Sequence, residues 1–394
     1  MKKFIHKIKI LLANRIIIPR AYKKSIFIEN ALDNNSFTLL GVTKKGEEAA
    51  DYRKFIKIKT IPENTRVLTS PHYQFGDKKI FLIKNARLIG RNALILDKKG
   101  RIIKNAISFN GKGRFGEFLK NLILKNSLTY SFFLSPFNFL RHFKPEKSLD
   151  SACSLVPLWL NYFHWIAEEI PKIKAVEYYK EKYQSRIKLI IPQNPPAYLT
   201  KTLNYLGYTS GDWIEWTYNK ALVRNLIVPT FPELSKETLR WLNNRITDQV
   251  IHNKTANKKN YRIFISREDA DNRRIINENE VTQAIGKYGF KAYKLGKLSF
   301  EEQVDLFYHA EAVIATHGAG LVNLVWGQHI KVIEIFGSFI QLPYARICKN
   351  LNFPYEQLLA HAENQTKNAN IYIPVNELIG KIEELNLTPK QSIE

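Results

Sequence analysis

A histidine with a carboxylate four residues further on can take up a proton and hand it on. The chain has that pair in Asn161-Tyr162-Phe163-His164-Trp165-Ile166-Ala167-Glu168-Glu169-Ile170-Pro171-Lys172. On a helix His164 and Glu168 share one face, and Trp165 and Glu169 share the next. One member can serve as general base while the other orients it; the alternative is a histidine satisfied within a core. A second constellation is Thr316-His317-Gly318-Ala319-Gly320-Leu321, where an apolar run hands over to a helical pattern. Glycines there let the backbone approach a ligand, and a helix N-terminus offers free N–H groups to an anion such as a diphosphate. The segment is neither a GxGxxG fingerprint nor a GxxxxGK[ST] phosphate loop. A glycine turn needed only for tight packing is its alternative.

Two further groups complete the set. Ser266-Arg267 is followed by Arg273-Arg274 and Asn277-Glu278. Guanidinium groups can fork onto phosphate oxygens and neutralise a departing diphosphate, or form salt bridges in a solvated loop with Glu268, Asp269 and Asp271. Glu334 sits inside Val332-Ile333-Glu334-Ile335-Phe336. A carboxylate in so apolar a run is costly to bury without a partner. It is open to two uses, accepting from ribose hydroxyls or closing a structural ion pair.

These residues need elements that position them. Strands are expected at Tyr261–Ser266, Phe290–Leu295, Ala312–Thr316 and Lys331–Phe336. Asn277 with Glu280 reads as a capping pair opening a helix through Tyr288 that Gly289 ends, and Ser299 with Glu302 as a second capping box. A helix is expected over Gly318–Trp326. Strands alternating with helices imply a parallel sheet, with ligands at the strands' carboxyl ends. Arg267 and His317 then share one edge. Upstream, apolar residues from Leu158 to Ile170 recur at helical steps, and Pro171 is expected to kink or divide that helix. A strand at Arg186–Ile191, a helix at Tyr198–Leu206 closed by Gly207, and a strand at Leu222–Val228 follow. Val228-Pro229-Thr230-Phe231-Pro232 marks a break, Ser235–Ile251 a polar helix, and His252–Asn260 a linker-like run. The boundary between two domains is placed in this stretch, giving 1–235 and 236–394. Residues 1–150 are the least legible. Strands are expected at Lys79–Ile83, Ala93–Leu96 and Arg101–Ile107, with Asp97–Gly100 as a hairpin turn.

Composition sets the frame. The chain has 394 residues, 45% hydrophobic and 24% charged, and suits two globular domains. Two cysteines make no disulfide framework, and no Cys/His spacing of the zinc kind is present. The net charge of +24 favours anionic partners: nucleic acid, acidic headgroups or a phosphorylated substrate. It is spread along the chain, and no RNA-recognition, zinc-finger or homeodomain signature accompanies it, so no nucleic-acid partner is expected. No stretch reaches the roughly 18 apolar residues of a membrane span. Met1–Lys24 alternates Lys/Arg with Ile/Leu and is too interrupted for a signal-peptide core. It reads as a basic amphipathic surface helix or a first helix packed on the domain.

Taken in order, Asn161-Tyr162-Phe163-His164-Trp165 with Glu168 and Pro171, Ser266-Arg267 with Arg273 and Asn277-Glu278, Thr316–Leu321 with Asn323, and Val332–Phe336 resemble glycosyltransferase family 61. The resemblance covers roughly residues 150–360. It implies a GT-B-like α/β architecture, two Rossmann-like domains facing across a cleft, with the donor nucleotide mainly on the C-terminal one. The last helix can pack back on the N-terminal domain. It also implies an inverting, metal-independent transfer from a nucleotide sugar, bound as substrate with no other cofactor, to a glycan or lipid-linked acceptor. The bacterial capsular-polysaccharide branch fits best, which implies a cytoplasmic enzyme, peripheral on the inner face of an anionic membrane. In that reading the base is His164, Glu168 or Glu169. The donor site is Arg267, Arg273, Asn277, Glu278, His317, Gly318, Ala319, Gly320, Asn323 and Glu334. The plant branch commonly has Asp where this chain has Glu168. Competing classes are a basic nucleic-acid-binding protein, a sugar-nucleotide epimerase or dehydrogenase, for which the nicotinamide fingerprint is missing, and a non-catalytic glycan-binding relative.

Overall fold

The computed structural model describes residues 25–26, 37–44, 50–51, 58, 65–67, 72–73, 78–104, 135–230, 234–251, 260–366 and 368–390. Met1–Lys24, the strand expected beyond Lys104, Phe231–Glu233 and the run 252–259 lie outside them. The chain divides into two units, residues 1–48 with 75–233 and residues 49–74 with 234–394.

Among the described residues, the first unit is built on a mixed sheet of nine strands. In its parallel part Lys147–Ser154 lies between Lys220–Pro229 and Lys188–Pro192, and Trp213–Trp216 pairs outside the last. Leu189, Ile190 and Ile191 are completely buried, as a continuous apolar run in a parallel strand should be. The twelve-residue strand Lys78–Ile89 pairs antiparallel with Lys220–Pro229 and with Leu94–Leu96. The expected turn at 97–100 is present. Gly100 takes a φ of +76°, and buried Asp97 accepts from the N–H groups of Lys99 and Arg101 at 2.9 and 2.7 Å, the local role aspartate plays in turns.

The helix carrying His164 is divided, as Pro171 requires, and the irregularity extends ahead of the proline. It runs as α over Tyr162–His164, π over Trp165–Glu169, 3-10 over Ile170–Lys172 and α over Ile173–Tyr183. A proline ring collides with the carbonyl four residues back, here that of Ala167. The Ile170 N–H bonds instead to Trp165 O, five back, and the wider turn relieves that collision. Ile166, Ile170, Ile173 and Val176 are fully buried and anchor the segment.

The second unit holds an all-parallel sheet of β1 (Tyr261–Ile265), β2 (Phe290–Tyr293), β3 (Ala310–Thr316), β4 (Lys331–Phe336) and β5 (Tyr355–Leu359). The order is β2-β1-β3-β4-β5. The chain leaves β1 for β2 on one side and returns to β3 on the other, so the direction of winding switches between β1 and β3. In such sheets the crevice at a switch point, outside the carboxyl ends of the strands, is where ligands bind. Arg267 follows β1 there and His317 follows β3. Phe264, Ile314, Ile333 and Leu378 lie in one buried cluster with Ile373 and Ile382.

One local expectation is corrected. Asn277 precedes the helix Glu278–Gly286 but does not cap it with its side chain. Its Oδ1 accepts from Ile373 N–H at 2.9 Å and its Nδ2 donates to Ile373 O at 2.9 Å, tying the helix start to another segment. The helix expected over Gly318–Trp326 is present as a 3-10 helix, Ala319–Trp326. Asn323 explains why: its Nδ2 donates to Gly320 O at 3.1 Å and its Oδ1 accepts from Trp326 Nε1 at 2.9 Å. Both partners lie three residues away, the spacing that eclipses in a 3-10 helix. The Ser299–Glu302 capping box is present. Arg66–Val67, from the segment 49–74, pairs with Phe339–Ile340.

Candidate functional site

In the second unit the site begins at the end of β3. The N–H of His317 bonds to Ile335 O at 2.9 Å, which carries the β3–β4 ladder past the strand. The imidazole lies 5.6 Å from the Phe336 ring, stacked, and close to Phe339 and Tyr344. Its Nδ1 is 2.6 Å from Glu334 Oε1. The other Glu334 oxygen accepts from the Tyr355 hydroxyl at 2.5 Å. Glu334 is completely buried. Of the two uses open to it, this arrangement is the internal pair: both oxygens are engaged inside the protein, with His317 and Tyr355.

Two arginines converge on the same strand ends. Arg273 Nη1 donates to His317 O at 2.6 Å. Arg273 adopts a φ of +58°, a left-handed conformation that a long side chain rarely takes, which makes it a place to look for function. Arg267 Nη2 donates to Asn272 O at 2.6 Å, and Arg267 N–H donates to Glu278 Oε2 at 3.3 Å. A Cβ placed on Gly318 would lie 3.1 Å from Arg267 Nη1, so glycine serves there to admit the guanidinium. Burial first, and then the like charge of Arg273, bring Arg267 down to about 10. Burial also lowers Arg273. Nε of Arg267, Nε of Arg273 and Oγ1 of Thr316 are buried without a hydrogen-bond partner. Arg273, Thr316 and His317 line a small, partly open cleft with Gly337, Ser338 and Phe339. Two desolvated cations with unused donors beside an orphaned hydroxyl are chemically matched to a bound anion.

The remaining expected donor-site residues divide clearly. Glu278 is buried and braces the Arg267 loop. Asn277 and Asn323 spend their side chains inside the fold, and Asn323 is completely buried. Gly320 packs near Leu295 and Ile265. Ala319 opens the 3-10 segment. Arg274 is exposed and bonds Ala270 O, away from the pocket lining. Tyr355, Gln341 and Asn272 take part without having been singled out from the sequence. Nothing in their spacing distinguishes them, because their roles come from tertiary contacts across β4 and β5 and within the loop.

The first unit contains the other constellation. Asn161 Oδ1 accepts from the His164 N–H at 3.0 Å and starts the helix. One α turn and the π turn then bring His164 Nδ1 to 2.6 Å from Glu168 Oε2, and both side chains remain partly exposed. The Trp159 ring lies 5.4 Å from the imidazole. Trp165 points inward and donates to Thr202 Oγ1 at 2.7 Å. Glu169 is only 2% exposed and is paired with Lys172 Nζ at 2.6 Å. Burial raises its carboxyl, with the Lys172 charge opposing. The geometry thus brings His164 and Glu168 together at the surface and gives Glu169 a buried ion pair with Lys172. Among the described residues no group of three His, Cys, Asp or Glu side chains could hold a metal ion.

A parallel α/β sheet with an anion-matched pocket at its switch point is Rossmann-like and consistent with the fold of a glycosyltransferase. Residues 162–333 match the family model described as Glycosyltransferase 61, and over that span the chain is similar to that family. The match opens at Tyr162, the first residue of the helix bearing the dyad, and closes inside β4, so both constellations up to His317 lie within it. A sugar donor and a glycan acceptor are the substrates this family implies. No curated protein matches the chain.

Proposed function

We propose that the protein is an inverting glycosyltransferase of the GT-B kind. It moves a sugar from a nucleotide donor to a glycan or lipid-linked acceptor, in cell-surface polysaccharide synthesis of the bacterial capsular type. The second unit takes the donor: Arg267 and Arg273 hold the diphosphate, Thr316 offers its hydroxyl, and His317, once protonated at Nε2 as well, donates to the phosphates or the sugar. The first unit takes the acceptor, with His164 or Glu168 removing the proton of the attacking hydroxyl and the other orienting it. Inversion then needs one displacement: the acceptor oxygen forms the new bond as the nucleoside diphosphate leaves, its charge met by the two guanidinium groups. No metal and no further cofactor are assigned to the reaction. The basic charge suits peripheral attachment to an anionic inner membrane surface, and no helix among the described residues is long and apolar enough to cross a membrane.

The observation that carries this reading is the cluster of unpartnered polar atoms on Arg267, Arg273 and Thr316 at the switch point. Thermal unfolding against a panel of nucleosides, nucleoside diphosphates and sugar nucleotides tests it. Diphosphates and sugar nucleotides should raise the transition and nucleosides should not. A flat response across the whole panel would remove the donor site from the account.

A further inference from the structure

Behind His317 lies a chain of polar groups that spans three strands and that the proposed chemistry does not itself require. Glu334 on β4 is completely buried, Gln357 on β5 is 2% exposed and Tyr355 on β5 is 7% exposed. Gln357 Nε2 donates to the Tyr355 hydroxyl at 3.1 Å, so that oxygen is an acceptor on one side. Its proton is then directed at Glu334 Oε2, 2.5 Å away. Burial, reinforced by the Glu334 charge, raises the Tyr355 phenol well above its ordinary value, so the proton stays on tyrosine. Glu334 faces a donor at Oε2 and the His317 nitrogen at Oε1.

An imidazole is more basic than a carboxyl group by about two pKa units in water. A carboxylate already receiving one hydrogen bond is a weaker base still. The proton in the 2.6 Å contact therefore belongs on Nδ1. We propose that Tyr355 is a positioning residue: through Glu334 it keeps a proton on Nδ1 of His317, so that Nε2 alone exchanges protons with a ligand in the pocket. The second partner of a histidine commonly decides its tautomer in this way. The groups facing the ring are few. The Gln341 side-chain amide meets Nε2 at 3.3 Å, and a bare Nε2 requires the NH2 end of that amide, its flipped orientation, to face the ring. Arg273 donates to the His317 carbonyl, and Arg267 passes the Gly318 backbone. Tyr344, Phe336 and Phe339 enclose the ring. Cys348 and Tyr344 are buried groups whose titration is raised by burial and by Glu334. None of these places a second carboxylate on the imidazole. The consequence for a leaving phosphate rests on the donor-site reading above, whereas the position of the proton does not.

The test uses the full chain with ring-15N histidine and long-range 1H–15N correlation, the His317 signals being those lost in His317→Gln. In the neutral ring of the unsubstituted protein Nδ1 should resonate as a protonated nitrogen and Nε2 as a bare one. Tyr355→Phe should shift the tautomer ratio several-fold toward Nε2–H, and Glu334→Gln further, with the signals of the other eight histidines unchanged. A neutral His317 found with its proton on Nε2 overturns the proposal. So does a folded Tyr355→Phe with an unaltered ratio. Should that variant not fold, uniform 3-fluorotyrosine in a Tyr344→Phe background makes the phenol more acidic at nearly constant shape. The His317 Nδ1 signal must then move, and a fixed signal refutes the relay. An Nδ1–H tautomer without any response to nucleotides would keep the relay and remove the donor-site reading.

Discussion

Replacing Arg267 by Met keeps much of the side chain's volume and removes its charge. The structure makes opposite demands on the two states of the protein. Without ligand, burial and the neighbouring Arg273 hold the Arg267 cation well below its ordinary value, at about 10. That corresponds to roughly 3 kcal/mol against the charge. Solvent screening at a partly open pocket reduces it to about 1–2 kcal/mol. The lost bond to Asn272 O costs about 1 kcal/mol in the other direction. Stability of the ligand-free protein should therefore change by less than about 1 kcal/mol, a few degrees at most in the melting temperature. With ligand the balance reverses. One charge-assisted pair to a diphosphate is worth about 1.5–3 kcal/mol, so affinity should fall on the order of tenfold to a hundredfold. Thermal unfolding with and without saturating nucleoside diphosphate reads both quantities in one experiment. A variant that loses more than about 2 kcal/mol without ligand yet keeps the full ligand-induced shift would refute the reasoning, because Arg267 would then be a structural residue.

Three other outcomes are expected. Gly318→Ala brings a methyl to 3.1 Å from Arg267 Nη1 at a backbone angle any residue tolerates; it should weaken diphosphate binding roughly tenfold, about 1.4 kcal/mol, with little change in circular dichroism. Glu169→Ala leaves Lys172 charged and buried, and should destabilise the protein by about 3–5 kcal/mol in urea unfolding, whereas Glu169→Gln with Lys172→Met should recover most of that loss. Burial pushes the Cys153 thiol up to about 12, the Lys172 charge opposing. An unfolded thiol titrates near 8.5, so between these values the native state keeps a proton that the unfolded state has lost. This contribution to stability is complete below about pH 8.5 and declines as pH rises toward 12. Cys153→Ala should accordingly lose about 1–2 kcal/mol less than the unsubstituted protein between pH 8 and 10.

The parallel sheet of the second unit was legible because its strands are short apolar runs set between helices with readable caps, Ser299–Glu302 among them. β5 was not, since Glu356 and Gln357 interrupt the apolar pattern at a sheet edge. The pairing of Arg66–Val67 with Phe339–Ile340 leaves no local signal, because only the tertiary fold brings those segments together. Spacing placed His164 and Glu168 on one face, and the contact is there. Spacing alone did not separate Glu168 from Glu169, which the π turn sends to a partly exposed and a buried position. Glu334 was recognised as a carboxylate needing a partner. Which partner depended on where His317 and Tyr355 fall on adjoining strands, and that is a property of sheet order rather than of spacing.

Donor turnover tests the central claim most directly. Release of nucleoside diphosphate from a panel of sugar nucleotides, with simple glycan acceptors present, should exceed background for at least one donor. Arg267→Met should lower that rate through weaker donor binding. Glu168→Gln should lower turnover by about 10²–10⁴ while leaving the nucleotide-induced thermal shift intact. Release from no donor, or release that both variants sustain at the full rate, would contradict the account.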